Sequence, residues 1–348
     1  MALRHLRILL VMIGTMIIAG CGSGEQTGDD MSQSMETAGF VEDIHRQISK
    51  ERKEMDTPAE RAAITKKFLT DYPSSRFTAD EIDIVYWYQG TELADKAGAL
   101  SFVANVRQKI NDPAVAEAVD KLLIGYYGEA GKVAKMTEVA QRLEAAGALD
   151  FDSHWKVITG AITASDWRLA RSYCAKARPM ATGDVLRTEY PDRQFSEAEI
   201  TEAVDERVGM MLVGDGWARA NLGEVDEALA DFVEADKRIP RYYFDIPEYD
   251  LYVYWGNTLM MKGDFEAAID RFAFNGLVMQ NDAAMAGLKR AYAGQHGSEE
   301  GFNAYAKQLH RKIARTIHDF EMPNYAGDRF RFADIQEKVT LLSLWFPT

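Results

Sequence analysis

The sequence predicts a mainly α protein, a solenoid of helical hairpins with a short β segment at its C-terminal end. Three observations carry that prediction. A set of small and aromatic residues, Gly216, Gly223, Ala228 and Phe232, returns forty residues later at the same spacing as Gly256, Gly263, Ala268 and Phe272. From Gly39 to about Ile317 apolar residues recur at steps of three and four, the period of a helix with one buried face. Residues rich in β-formers, by contrast, gather only between His318 and Thr348.

The chain opens with a basic patch, Arg4, His5 and Arg7, followed by an apolar run from Ile8 to Ile18 that is short for a bilayer span. It closes on Ile18-Ala19-Gly20-Cys21, where small residues let a peptide lie extended in a protease cleft and the cysteine offers a thiol. This segment resembles a bacterial lipoprotein signal with its lipobox. The resemblance implies cleavage after residue 20, lipid on Cys21, and a membrane partner through that lipid. Gly22, where an aspartate would signal inner-membrane retention, implies an outer-membrane or periplasm-facing place in the cell envelope. The alternative is an ordinary signal peptide or short anchor. Residues 21–38 hold the Gly-, Ser- and acid-rich GSGEQTGDDMSQSM and read as a flexible tether.

Residues 39–316 form the expected helical domain. Pro58, Pro73, Pro113, Pro179, Pro191, Pro240 and Pro247 fall at the joints between helical segments. Thr57-Pro58-Ala59-Glu60 has the pattern of a capped helix start, and Phe68 to Ser75 closes that helix and opens the next. In the repeated set, the first glycine would let two helices approach closely and the second would end the first helix in a left-handed turn. Acids at Glu224 to Glu227 and at Asp264 and Glu266 would meet the positive end of the second helix. This pattern resembles the tetratricopeptide repeat, with extra residues around Tyr242 to Tyr249 between the two copies. Weaker copies include Ala161, Trp167, Ala170, Cys174 and Ala177, then Leu288, Tyr292, Gly301 and Tyr305. Because one hairpin cannot bury both of its faces, five to seven of them are expected to stack. Trp87, Trp155, Trp167, Trp217 and Trp255 are expected in that packing, with an aromatic ligand cage as the alternative. Gly125 to Gly131, with three glycines, reads as a loosely packed turn.

Residues 317–348 read as a β segment. A turn at Tyr325 to Asp328 precedes Arg329-Phe330-Arg331-Phe332, and Val339 to Phe346 reads as a buried strand. Asp319-Phe320, Gly327-Asp328, Phe332, Asp334, Lys338, Leu341-Leu342 and Leu344-Trp345-Phe346-Pro347-Thr348 resemble the opening of a thioredoxin-like domain of the disulfide-reductase or peroxiredoxin type. The resemblance implies an incomplete thioredoxin-like fold, cut short before its redox cysteines. A C-terminal hairpin capping the helical array is the alternative.

Composition narrows the function. The formal charge is −14, an acidic balance that argues against a nucleic-acid partner. Of the two cysteines, Cys21 would be acylated and Cys174 left alone, on the inward face of a helix, as a small buried hydrophobe. No His pairs with another His or with Cys at metal-ligand spacing, and no phosphate loop or hydrolase motif occurs. No cofactor, metal or catalytic residue is expected. The candidate contacts for protein or peptide clients are Tyr242, Tyr243, Phe244 and Tyr249, in the densest aromatic run; the alternative is a long joint wedged over the core. Three functions fit. One is a membrane-anchored scaffold carrying a thioredoxin-like thiol-disulfide oxidoreductase domain, inactive here for lack of its cysteines. Another is a non-enzymatic scaffold for protein interaction or envelope assembly. The third is a surface glycan-binding lipoprotein.

Overall fold

The computed structural model describes residues 28–241, 250–313, 321–323 and 329–331. The lipobox with Cys21, the aromatic segment with Tyr242, Tyr243, Phe244 and Tyr249, the turn at Tyr325 to Asp328 and the apolar run from Val339 lie outside the described residues. The chain forms two compact units, Met1–Asp264 and Phe265–Thr348, and the division falls within the second copy of the repeat.

In the first unit, α1 is Gly28–Glu54, α2 Pro58–Asp71 and α3 Thr78–Val85, which runs on into a π-helical turn, Tyr86–Glu92. Then come α4 (Lys96–Arg107), α5 (Pro113–Glu129), α6 (Val133–Ala145), α7 (Phe151–Thr163) and α8 (Trp167–Ala177), which ends in a 3-10 turn at Arg178–Met180. Short α9 (Gly183–Glu189), long α10 (Glu197–Asn221), α11 (Val225–Arg238) and α12 (Leu251–Lys262) complete it. The helix starts follow local chemistry. Thr57 and Glu60 form the reciprocal capping box expected from the sequence, with Pro58 in the first turn. Ser196 and Glu199 form a second one at α10. The side chains of Asp95, Asp112, Asp150 and Asp166 accept backbone N–H groups at α4, α5, α7 and α8.

Hairpins form because consecutive helices pack: α5 on α6, α7 on α8, α10 on α11. They stack because the first helix of each hairpin touches the first helix of the next, in the series α3, α5, α7, α10, α12. The repeated residues sit where the sequence placed them. Ala228 and Phe232 are fully buried on α11, and a Cβ on Gly216 would stand 3.0 Å from the Phe232 ring. Gly223 and Gly263 end α10 and α12 with φ of +92° and +83°, the left-handed region that glycine enters without a Cβ clash.

The Gly125–Gly131 stretch corrects the expectation of a loose turn. Gly125 and Gly128 lie inside α5, and only Gly131 turns the chain, at φ +66°. Gly128 is there because α7 crosses it: a Cβ on Gly160 would stand 2.8 Å from the Gly128 Cα and 2.4 Å from the Met136 sulfur. Here glycine permits backbone contact rather than looseness. Trp87 departs from the packing role as well. It is 38% exposed on the π-helical turn, while Trp155, Trp167 and Trp217 are half-buried and Trp255 is buried.

Two buried carboxylates tie helices together. Asp120 on α5 accepts paired hydrogen bonds from Arg107 on α4 (2.8 and 2.9 Å) and from Arg142 on α6 (2.9 and 2.8 Å). Glu81 on α3 is bonded by Arg52 and, at 2.9 Å, by His45, both on α1. The His45 ring also stacks on Phe77, centroids 3.8 Å apart.

In the second unit, α13 (Phe265–Leu277) packs on α14 (Asp282–His296), and α15 (Phe302–Ile313) lies against both. Ala268 and Phe272 are fully buried within it. Tyr292 is a hub, 5.6 Å from Phe302 and 4.9 Å from Tyr305 between ring centroids, with its hydroxyl donating to the Glu300 carbonyl at 3.0 Å. The strands β1 (Glu321–Pro323) and β2 (Arg329–Arg331) pair antiparallel, Met322 opposite Phe330.

Two predictions come from this packing. Gly160→Ala is expected to lower stability by about 2 kcal/mol in urea unfolding, because the new methyl meets backbone. Gly125→Ala, whose Cβ would find only the Lys156 stem at 3.6 Å, is expected to be neutral or stabilising by up to ~1 kcal/mol. Equal losses at the two sites would contradict the close crossing. The second concerns acid. Burial raises the Asp120 carboxyl, but its bonds to Arg142 and Arg107 outweigh burial and hold it below the usual carboxylate range. A folded value below the unfolded one means that stability is complete above the unfolded value and is lost as pH falls through the folded one. The urea midpoint is therefore expected to drop between about pH 5 and about pH 2, and to drop less steeply in Asp120→Asn.

Candidate partner-binding surface

The first helices of successive hairpins share a face, and its best-defined patch joins α3 to α5. Asp83 and Trp87 lie one turn apart on α3 and its π-helical extension. The Tyr126 hydroxyl on α5 donates to the Asp83 carboxylate. Tyr86 and Tyr126 stack, centroids 3.7 Å apart and planes within 10°. The Tyr86 hydroxyl reaches Glu129 at 3.4 Å, and Lys96 approaches the same carboxylate at 3.7 Å. From α7, the Lys156 stem lies over Gly125, and its amine donates to the Lys121 carbonyl at 3.3 Å.

The electrostatics of this patch favour an acidic, hydrogen-bonded surface. Burial pushes the Asp83 carboxyl above its ordinary value, outweighing the Tyr126 hydrogen bond and the Lys156 charge. Burial and then Asp83 push the Tyr126 hydroxyl well up, so it stays a donor at every physiological pH. The pair can hold one proton in a fixed place. Its geometry holds a hydrogen-bonded pair at the α3–α5 crossing, on the element that carries the partly exposed Trp87.

A second aromatic run crosses the hairpins of α8, α10 and α12. Trp167 meets Trp217 edge-on at 6.0 Å, and Trp217 stacks on Tyr254 at 4.8 Å with planes within 7°. Tyr252 and Tyr254 continue the aromatic run that begins at Tyr242, and α12 begins soon after Tyr249. Their rings are engaged with Trp255 and Trp217, so this end of the stretch serves packing.

Between the 3-10 turn, α10 and α11 lies a cavity of about 360 Å³ lined by Arg178, Met211, Leu212, Arg219, Asp231 and Arg238, among others. Its charges are mutually engaged. Arg219 bridges Asp215 at 3.0 Å and Asp231 at 3.2 Å, and Arg238 bonds Asp205 and Glu234, each at 2.8 Å. Cys174 is 1% exposed beside this cluster, and burial followed by the Asp215 charge pushes its thiol far up. That is the opposite of an activated thiolate, as the sequence led us to expect. Among the described residues, no group of three His, Cys, Asp or Glu side chains is placed to hold a metal, and no helix is long and apolar enough to cross a membrane.

The Asp83–Tyr126 and Tyr86–Glu129 pairs were not anticipated. Both span 43 residues, and that shared offset from one first helix to the next is the trace they leave in the sequence.

No family model matches the chain. No curated protein matches it. Among solved structures it is similar to a tetratricopeptide repeat protein from Parabacteroides merdae, with 13% identity, a TM-score of 0.37, and coverage of 78% of this chain and 98% of that one. It is also similar to the TPR2AB domain of yeast Sti1 in its complex with pHSP90, with 13% identity, a TM-score of 0.26, and coverage of 80% and 99%. The reading of stacked helical hairpins rests on the chain's own contacts, in which each first helix touches the next.

Proposed function

We propose that the protein is a non-enzymatic interaction scaffold of the cell envelope, anchored through lipid on Cys21, whose first-helix face receives a protein or peptide partner. The observation that carries this reading is the α3–α5 patch, where Tyr86 stacks on Tyr126 and, one residue on, the π-helical turn leaves Trp87 38% exposed. A helix pays for such a turn in regular hydrogen bonding, and π-helical turns concentrate at functional sites. Tyr242, Tyr243, Phe244 and Tyr249 provide a second contact region in this reading. A photo-crosslinking amino acid placed at Trp87 in cells is expected to capture a discrete protein, and Trp87→Ala together with Tyr126→Phe is expected to weaken co-purification of that protein. Capture at Trp87 that matches capture at an exposed position such as Lys53 would refute the partner site. For the anchor, Cys21→Ser is expected to abolish incorporation of labelled palmitate and release the protein from the membrane fraction; unchanged labelling would refute it.

The pattern from Asp319 to Thr348 supports a second reading, that residues 317–348 open a thioredoxin-like domain. The β1–β2 pairing is compatible with its first hairpin. The coding sequence after Thr348 decides it: a Cys-x-x-Cys directly downstream supports a redox domain, and a stop codon removes it.

A further inference from the structure

We propose that the outer face of α15 docks an acidic, Asp- and Glu-rich protein segment. The helix has spent its apolar side. Phe302 is buried, Tyr305, Leu309 and Ile313 are half-buried, the Phe302 and Tyr305 rings meet Tyr292 of α14, and α13 packs on the same helix. Lys307 and Arg311 stand one turn apart on its outer side, with His310 and Lys312 on the flanks; all four are exposed, and none makes an ion pair with a described residue. Elsewhere in the same unit an exposed lysine finds a partner, as Lys289 does with Glu299 at 2.6 Å. The surrounding stretch is an outlier in this chain. Residues 301–318 contain four Lys or Arg side chains and no Asp or Glu, against 36 basic and 54 acidic in the remainder.

A bland account exists for part of this. The negative end of the helix dipole favours His310, Arg311 and Lys312 in the last turn. It accounts neither for Lys307, which stands a turn earlier, nor for the absence of every acid along the stretch. The partner class follows from what the rest of the molecule forbids. With its apolar side packed, α15 cannot lie in a bilayer as an amphipathic helix does. A short acidic segment meets only the local field, which at physiological salt reaches about 8 Å. This surface shares no residue with the α3–α5 patch, so the two proposals are tested independently.

The test uses the full chain and a fluorescein-labelled peptide of alternating Glu and Ser, read by anisotropy, with phosphatidylglycerol vesicles in a parallel sedimentation arm. The peptide is expected to bind, and to bind about tenfold more weakly to Lys307→Glu/Arg311→Glu/Lys312→Glu. Lys307→Gln/Arg311→Gln/Lys312→Gln, which spares the helix a charge reversal, is expected to lose part of the binding with an unchanged thermal melt. Reversal of the exposed Lys50, Lys53 and Lys67 is expected to leave binding intact. The proposal is overturned if the peptide does not bind, if both α15 variants bind as well as the parent, or if only the vesicles are bound.

Discussion

Each hairpin here depends on a neighbour, and the distance of closest approach between first helices decides how well it is served. A two-helix unit leaves one face of each helix in water, so its burial is completed only when the next unit arrives. At the α5–α7 crossing that approach is set by Gly128 and Gly160, whose backbones meet with no room for a methyl between them. Met136 of α6 closes over the same point, so one contact fixes three helices. The large buried aromatics then fill what remains, Phe151 on α7 and Phe232 on α11. Small residues define the spacing and large ones use it.

Polar chemistry in the first unit is arranged around the same joints. Asp120 and Glu81 are carboxylates with almost no exposure, yet arginines from neighbouring elements bond to each, two to Asp120 and Arg52 to Glu81. Such pairs offset a desolvation cost more than they add net stability, and their value lies in geometry. Two guanidinium forks on one carboxylate allow a single arrangement of α4, α5 and α6. Asp83 differs. Its partner on the neighbouring helix is a neutral hydroxyl, and its carboxyl is raised where those of Asp120 and Glu81 are lowered. Asp83 thus joins α3 to α5 through a neutral hydrogen bond, with only the more distant Lys156 charge to favour its ionised form, which distinguishes the α3–α5 patch from the joints around it.

Features encoded within one turn of chain were legible in the sequence. The capping box at Thr57, the left-handed glycines at 223 and 263, and the buried Ala228 and Phe232 each depend on neighbours a few residues away or on a repeated spacing. Cys174 was legible for the same reason, as one apolar position among Ala170 and Ala177. The Gly125–Gly131 stretch misled because glycine has two meanings. In a loop it supplies positive φ, and in a helix it admits a neighbouring backbone; only the presence of α7 distinguishes them. The π-helical turn was likewise invisible, since one inserted residue shifts a helical pattern without breaking it. It rotates Trp87 out of the stripe that the periodicity assigned to the core.

Environment sets the reactivity of Cys174 and Asp83 in the same way. A reactive thiol needs a cation or a helix start to hold its proton loosely, and Cys174 has burial and a carboxylate that hold it tightly. A general base needs a value near working pH and a substrate within reach; the Asp83 oxygen that Tyr126 bonds is already committed to that hydroxyl. The α3–α5 patch presents the partly exposed Trp87 indole together with hydrogen-bonding groups fixed at a crossing of helices. Those are the ingredients of a contact that binds by shape and desolvation, in which a few aromatic side chains supply most of the energy. A stacked array supplies them cheaply, because the contacts that hold one hairpin against the next also fix the positions of the residues it displays.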